Sequence, residues 1–113
     1  MELEDGLGIE DSGETKWSIN GAATQVLSGD PNRVAVVIGP PAAGVATIGF
    51  SPDLVNNAGM IIVAGGAALV LDRHNHGEML TRPIFINTNG PTTGAIWFSR
   101  RVRNPGDPSW RQP

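Results

Sequence analysis

A chain of 113 residues with 15 glycines and 9 prolines supports one domain and excludes an architecture of long helices, because each interior Gly costs about 1 kcal/mol and each Pro about 3 relative to Ala. The absence of cysteine excludes disulfides and thiolate chemistry, and a net charge of −3 argues against general affinity for nucleic acid. The apolar residues come in short dense runs whose burial offsets chain entropy, so a folded body is expected rather than a disordered chain.

Residues 1–15 hold Glu2, Glu4, Asp5, Glu10, Asp11 and Glu14, no base before Lys16, and almost no periodicity. They predict an acidic arm that becomes ordered against a partner. An acidic start is also the opposite of a signal peptide's basic one, which favours a chain made in a cytosol. Trp17-Ser18-Ile19-Asn20 and Thr24-Gln25-Val26-Leu27 alternate apolar with polar residues, the half-buried strand pattern. Ser28-Gly29-Asp30-Pro31-Asn32 is a turn. Arg33–Ile38 is apolar on both faces and β-branched, as a central strand requires. Pro40-Pro41-Ala42-Ala43-Gly44 turns the chain. Residues 45–50 return with Ala46, Ile48 and Phe50 on one side, so residues 33–50 read as a hairpin.

A polar loop over residues 51–59 precedes two short strands, Met60–Val63 and 67–71, joined through Gly65-Gly66. The apolar stretch 60–71 is too short to span a bilayer. Residues 72–77 form a polar crossing, and 81–87 and 95–102 are the last strands, parted by a turn-rich segment over 88–94. Asn104-Pro105-Gly106-Asp107-Pro108 breaks regular structure. About eight short strands with Gly/Pro punctuation predict an all-β fold: a single small antiparallel β-sandwich or jelly-roll-like barrel with extended N- and C-terminal arms. The domain plan is an acidic arm over 1–15, a sandwich over 16–103 and a tail over 104–113.

Few groups in the middle of the chain bear chemistry. In an extended segment His74 and His76 would share a face, with Glu78 or Asp72 supplying an oxygen for a metal. His74-Asn75-His76-Gly77-Glu78 resembles the His-x-His…Glu core of the cupin family, which implies a metal-binding β-barrel enzyme. Cupins space the Glu further away and add another His, and this chain has only these two. The competing reading is a polar exposed connection. No phosphate-cradling loop and no nucleophile elbow occur, so no catalytic residue, cofactor or metal is assigned.

From Arg100 onward four arginines stand against one acid, Asp107. Arg100, Arg101 and Arg103 can face solvent, a few phosphates, or carboxylates on a neighbouring copy. Seven of the eight basic residues are Arg, a choice that favours forked hydrogen bonds at an interface. Trp110 and Arg111 are residue types enriched at binding hot spots. The partner-binding candidates are therefore Arg100, Arg101, Arg103, Trp110 and Arg111. A carbohydrate-binding module is the other binding reading, with Trp17, Trp97 and Trp110 as its platform.

Asp30-Pro31-Asn32-Arg33-Val34-Ala35-Val36-Val37-Ile38, then Gly44-Val45-Ala46-Thr47-Ile48-Gly49, then Gly59-Met60-Ile61-Ile62-Val63-Ala64-Gly65-Gly66, resemble small β-sandwich proteins of tailed-bacteriophage virions. The resemblance spans roughly residues 30–87. It implies a non-enzymatic virion part, such as a capsid decoration protein, head fibre base or tail component, that needs no cofactor. Its partners would be itself, as a trimer or ring, and another virion protein such as the major capsid protein. Neither membrane nor nucleic acid would be a partner.

Overall fold

The computed structural model describes residues 9–55 and 58–102. Among them are nine strands: β1 (Ile9–Asp11), β2 (Thr15–Asn20), β3 (Thr24–Leu27), β4 (Arg33–Ile38), β5 (Val45–Gly49), β6 (Met60–Val63), β7 (Leu69–Asp72), β8 (Ile84–Thr88) and β9 (Pro91–Val102). A four-residue helix, α1 (Arg73–His76), and a 3₁₀ turn (Gly77–Thr81) lie between β7 and β8.

All pairing is antiparallel. One sheet runs β1-β9-β4-β7, with β2 also on β9; the other runs β3-β8-β5-β6. The twelve residues of β9 carry β2 and β1 end to end along one edge, Asn20–Thr15 against residues 91–96 and Ile9–Asp11 against 100–102. Six of the eight connections between these strands cross from one sheet to the other, as in the double-sheet order of a jelly roll. The predicted all-β sandwich is thus the observed fold.

Inward-facing side chains explain why the sheets stack. Trp17, Ile19, Val36, Ile38, Leu71 and Ile96 meet Ala46, Ile48, Ile62, Ile84 and Ile86 across the core, closed at one end by Leu80. The alternation in β2, where Trp17 and Ile19 are buried and their neighbours exposed, is the half-buried pattern read from sequence. Each buried Leu or Ile contributes about 1.5–3 kcal/mol relative to exposure.

The outer face of the second sheet is covered by the loop between β5 and β6. Asn87 Nδ2 donates to the Leu54 carbonyl at 2.9 Å. The Leu54 side chain sits where a Cβ on Gly49 would come within 2.7 Å of it. The strand of this sheet at the far edge, β6, pairs only with β5.

Three expectations are corrected. Residues 33–50 are no hairpin: β4 and β5 lie in different sheets. The link between them is pinned to β9, Gly39 N donating to Ala95 O at 3.0 Å and Ala42 N to Thr93 O at 2.8 Å. Turn residues between two apolar strands announce a reversal but not whether the strands pair. Second, β9 begins at Pro91 rather than Ala95, because a strand's first residue tolerates Pro. Third, residues 77–81 form the 3₁₀ turn, and β8 starts only at Ile84.

Candidate assembly interface

The acidic and basic ends of the chain meet. Ile9 pairs with Val102, Glu10 with Arg101 and Asp11 with Arg100. The charge sorting therefore places carboxylates of β1 opposite guanidiniums of β9. Arg100 forks onto Asp11, Nε to Oδ1 at 2.7 Å and Nη2 to Oδ2 at 3.1 Å. Arg101 bridges two acids, Nε to Asp30 Oδ2 and Nη1 to Glu10 Oε1, both at 2.9 Å. Ser12 adds a backbone bond, its N–H donating to Ser99 O at 2.8 Å.

The electrostatics follow from these contacts. The hydrogen bond from Arg100 holds the Asp11 carboxyl below its ordinary range; desolvation opposes it, and the arginine's charge adds to the lowering. Desolvation pushes Asp30 up, but hydrogen bonds from Arg101 and the Asn32 amide, with the charges of Arg101 and Arg33, leave it lowered. Both arginines are raised, chiefly by the carboxylates they hydrogen-bond.

Asp30 is positioned by its own turn. Its Oδ1 accepts from Asn32 N at 2.9 Å and its carbonyl from Arg33 N at 3.1 Å, an Asx-turn of the kind the Asp-Pro-Asn run announces. Arg33 beside it is 4% exposed. It donates to the carbonyls of Leu80 and Arg82 at 3.1 Å and of Ser28 at 2.5 Å. Burial lowers its pKa, and Asp30 partly offsets that. The sequence reading took Arg33 as the head of a strand and missed this staple. The available signal was a charged residue opening an otherwise wholly apolar strand.

Of the five partner-binding candidates, Arg100 and Arg101 find carboxylates within their own chain, where a neighbour's had been expected. Arg103, Trp110 and Arg111 lie outside the described residues. Ile9 and Val102, the first and last described residues, are thus paired with each other.

His74 and His76 do not share an extended strand. They belong to α1, whose N-cap Asp72 accepts from Asn75 N at 2.7 Å. On a helix, positions two apart point about 200° apart. His74 is exposed, while His76 Nδ1 lies 3.2 Å from the Asp72 carbonyl oxygen. Glu78 pairs instead with Arg73 at 3.0 Å. No cluster of three His, Cys, Asp or Glu suited to a metal occurs among the described residues. The polar Asp-x-x-Asn run is a capping signal, and capping decided the local structure.

The tryptophan platform is likewise not assembled. Trp17 is 7% exposed and packs inward, over a glycine: a Cβ on Gly94 would lie 2.3 Å from its ring. Trp97 is 50% exposed. It is the extra residue of a β-bulge, since Val37 pairs with Phe98 and Ile38 with Ile96, and bulges redirect side chains. Trp110 is not among the described residues.

Among the described residues, two of the exposed apolar surfaces bear on assembly. On β6, Ile61 and Val63 are 48% and 46% exposed. Beside Trp97, on the outer face of the first sheet, an open hollow of about 640 Å³ is lined by Lys16, Ser18, Pro40, Thr93 and Ala95 among others. No helix among the described residues is long and apolar enough to cross a membrane.

No family model matches the chain, and no curated protein matches it. Among solved structures it is similar to a protein of Bacillus endospore appendages, described as a novel family of disulfide-linked pili. The TM-score is 0.56 at 13% identity, covering 84% of this chain and 88% of that one. At that identity the likeness is one of fold.

Proposed function

We propose that the protein is a non-enzymatic structural subunit that self-assembles on the outside of a larger particle. The observation that carries this reading is β6, an edge strand of four apolar residues, Met60-Ile61-Ile62-Val63, that pairs with β5 alone among the described residues. Natural edge strands that must stay unpaired are blunted by Lys, Pro, a bulge, an inward charge or shortness, and β6 has only its shortness. Its half-exposed Ile61 and Val63 add apolar area beside that edge.

The virion reading gives the finer proposal: a capsid decoration protein of a tailed phage, present as symmetric copies. It is supported by the resemblance of residues 30–87 to such proteins. Arg100, Arg101, Arg103, Trp110 and Arg111 would then engage the capsid or the next copy. The similarity in fold to a pilus protein favours a second setting, an appendage subunit. Because this chain has no cysteine, such a filament would be held without disulfides.

Electron microscopy and mass measurement of the purified chain across concentration test both. Assembly into closed rings or trimers supports the decoration role, and open filaments support the appendage role. Ile61→Lys is expected to raise the assembly concentration at least about tenfold while leaving the fold intact. A chain that stays monomeric at every accessible concentration overturns the proposal.

A further inference from the structure

The hollow beside Trp97 is a prepared surface. Its floor is made of small outward-facing side chains, Ser18 from β2 opposite Thr93 from β9, with Ala95 opposite Lys16. One wall is the Trp97 ring, lying over Gly39, where a Cβ would come within 2.4 Å of its Nε1. Another is formed by Pro40 and Ala42 of the link between β4 and β5, which is fixed to β9 by the two backbone bonds already described and by Ala43 N donating to Thr92 Oγ1 at 3.0 Å. Its proline rings limit backbone freedom, so little ordering is required when something binds.

Lys16 stands at the rim. It is the chain's single lysine, and its side chain has no ion pair or hydrogen bond among the described residues, unlike Arg33, Arg73, Arg100 and Arg101. An aromatic wall, a proline-lined side and one free cation suit a proline-rich segment carrying an acid. Prolines dock on aromatic grooves at low entropic cost because their extended helix is preformed.

The chain itself supplies such a segment. Residues 103–113 contain Pro105, Pro108 and Pro113, with Asp107, the sole acid there, beside Pro108. We propose that the hollow receives residues 103–113 of a second copy of this chain, with Asp107 meeting Lys16 and the prolines meeting Trp97. This inference rests on the self-assembly reading and names one contact within it.

Reach selects a second copy over the same one. β9 runs from the hollow toward Val102, so residue 103 follows the end of the strand that is far from the hollow. Lys16 faces Ala95, seven residues back from Val102, about 23 Å along the strand. Asp107 is five residues past Val102, at most about 17 Å of extended chain before any reversal is made. Within one chain the pair falls short, so a second copy must supply the segment. A tail-to-hollow contact is head-to-tail, and repeated it closes a ring or grows a filament.

The test measures association of the full-length chain by analytical ultracentrifugation. Lys16→Glu and Asp107→Lys are each expected to weaken it at least about tenfold, and the double charge swap to restore it. Trp97→Ala is expected to weaken it similarly. Mixing the Trp97→Ala chain with a chain lacking residues 103–113 should yield pairs that neither forms alone, since one brings the tail and the other the hollow. Variants that assemble like the parent overturn the inference. So does a mixture that forms no pairs, or quenching of Trp97 by cello-oligosaccharides with assembly indifferent to the tail. If only Ile61→Lys disrupts assembly, the inference falls and the structural role stands. A parent chain that never associates overturns both.

Discussion

Around its second half, β9 is bordered by matched charges: Asp11 against Arg100, Glu10 and Asp30 against Arg101, with Arg33 buried just behind. Around its first half the same strand borders Lys16, free of ion pairs among the described residues, and a half-exposed Trp97 over a proline link. One strand thus serves two different ends. Where Ile9 meets Val102, the chain's polar groups are spent on closing the sheet. At the other end they are left available. Charge sorting along a sequence does not by itself say which of these it serves; the register of β1 on β9 does.

The comparison breaks most severely at Arg33. Arg33→Ala leaves the carbonyls of Ser28, Leu80 and Arg82 without their shared donor, and buried acceptors stripped of a partner cost about 1–3 kcal/mol. We expect a loss of about 3 kcal/mol in urea unfolding, a large share of the roughly 5–15 typical of a small domain. Arg33→Lys should recover only part of it, because one ammonium cannot reproduce the guanidinium fork. A loss below about 0.5 kcal/mol would show that the closed end does not depend on this staple.

The open end is probed by its two glycines. An alanine at Gly94 must displace the ring of Trp17, 7% exposed and packed among core side chains. Overpacking of that kind costs about 1–3 kcal/mol. At Gly39 the obstructing ring is Trp97, half exposed and able to swing outward. Gly39→Ala should therefore cost less than about 1 kcal/mol while red-shifting Trp97 emission as the ring meets more water. Equal losses at the two sites would mean that Trp97 is held as rigidly as Trp17.

Much of this fold was legible because hydrophobic alternation is local. β2 and β5 follow from it, as does the inward set of Ala46, Ile48 and Phe50, while β4 and β6 follow from short apolar runs bounded by turn residues. What alternation does not carry is which strand neighbours which, so β4 and β5 read as a hairpin when a pinned proline link sends them to separate sheets. His74 and His76 were misplaced for a different reason. Asp72 caps a helix through Asn75, a contact three residues apart that a two-residue period does not register. The clamp was half legible: opposite charges at the two ends pointed to pairing, but whether within or between copies depends on register. The Trp97 bulge came from packing alone, and Arg33 showed only as a charge heading an apolar strand.

The smallest effects belong to the clamp itself. Its pairs are partly exposed, Asp11 and Arg100 at 46% and 47% and Asp30 at 24%, so solvent screening limits Arg101→Ala to under about 1 kcal/mol. Acid sharpens the contrast without mutation. Asp11 and Asp30 titrate lower in the folded chain than the ordinary aspartate value near about 3.9. Their stabilisation is therefore complete above that value and disappears as pH falls through the lowered ones. Followed by NMR from pH 6 to pH 2.5, the Ser12 amide, bonded to Ser99 O, should lose its folded shift in this window. The Trp97 indole resonance should hold, because no carboxylate lines the hollow. Raised salt should loosen Arg100–Asp11 before Arg101–Asp30, in order of exposure. Concerted loss of both resonances would instead make the two halves of β9 a single cooperative unit, and the division between a closed and an open end would not survive it.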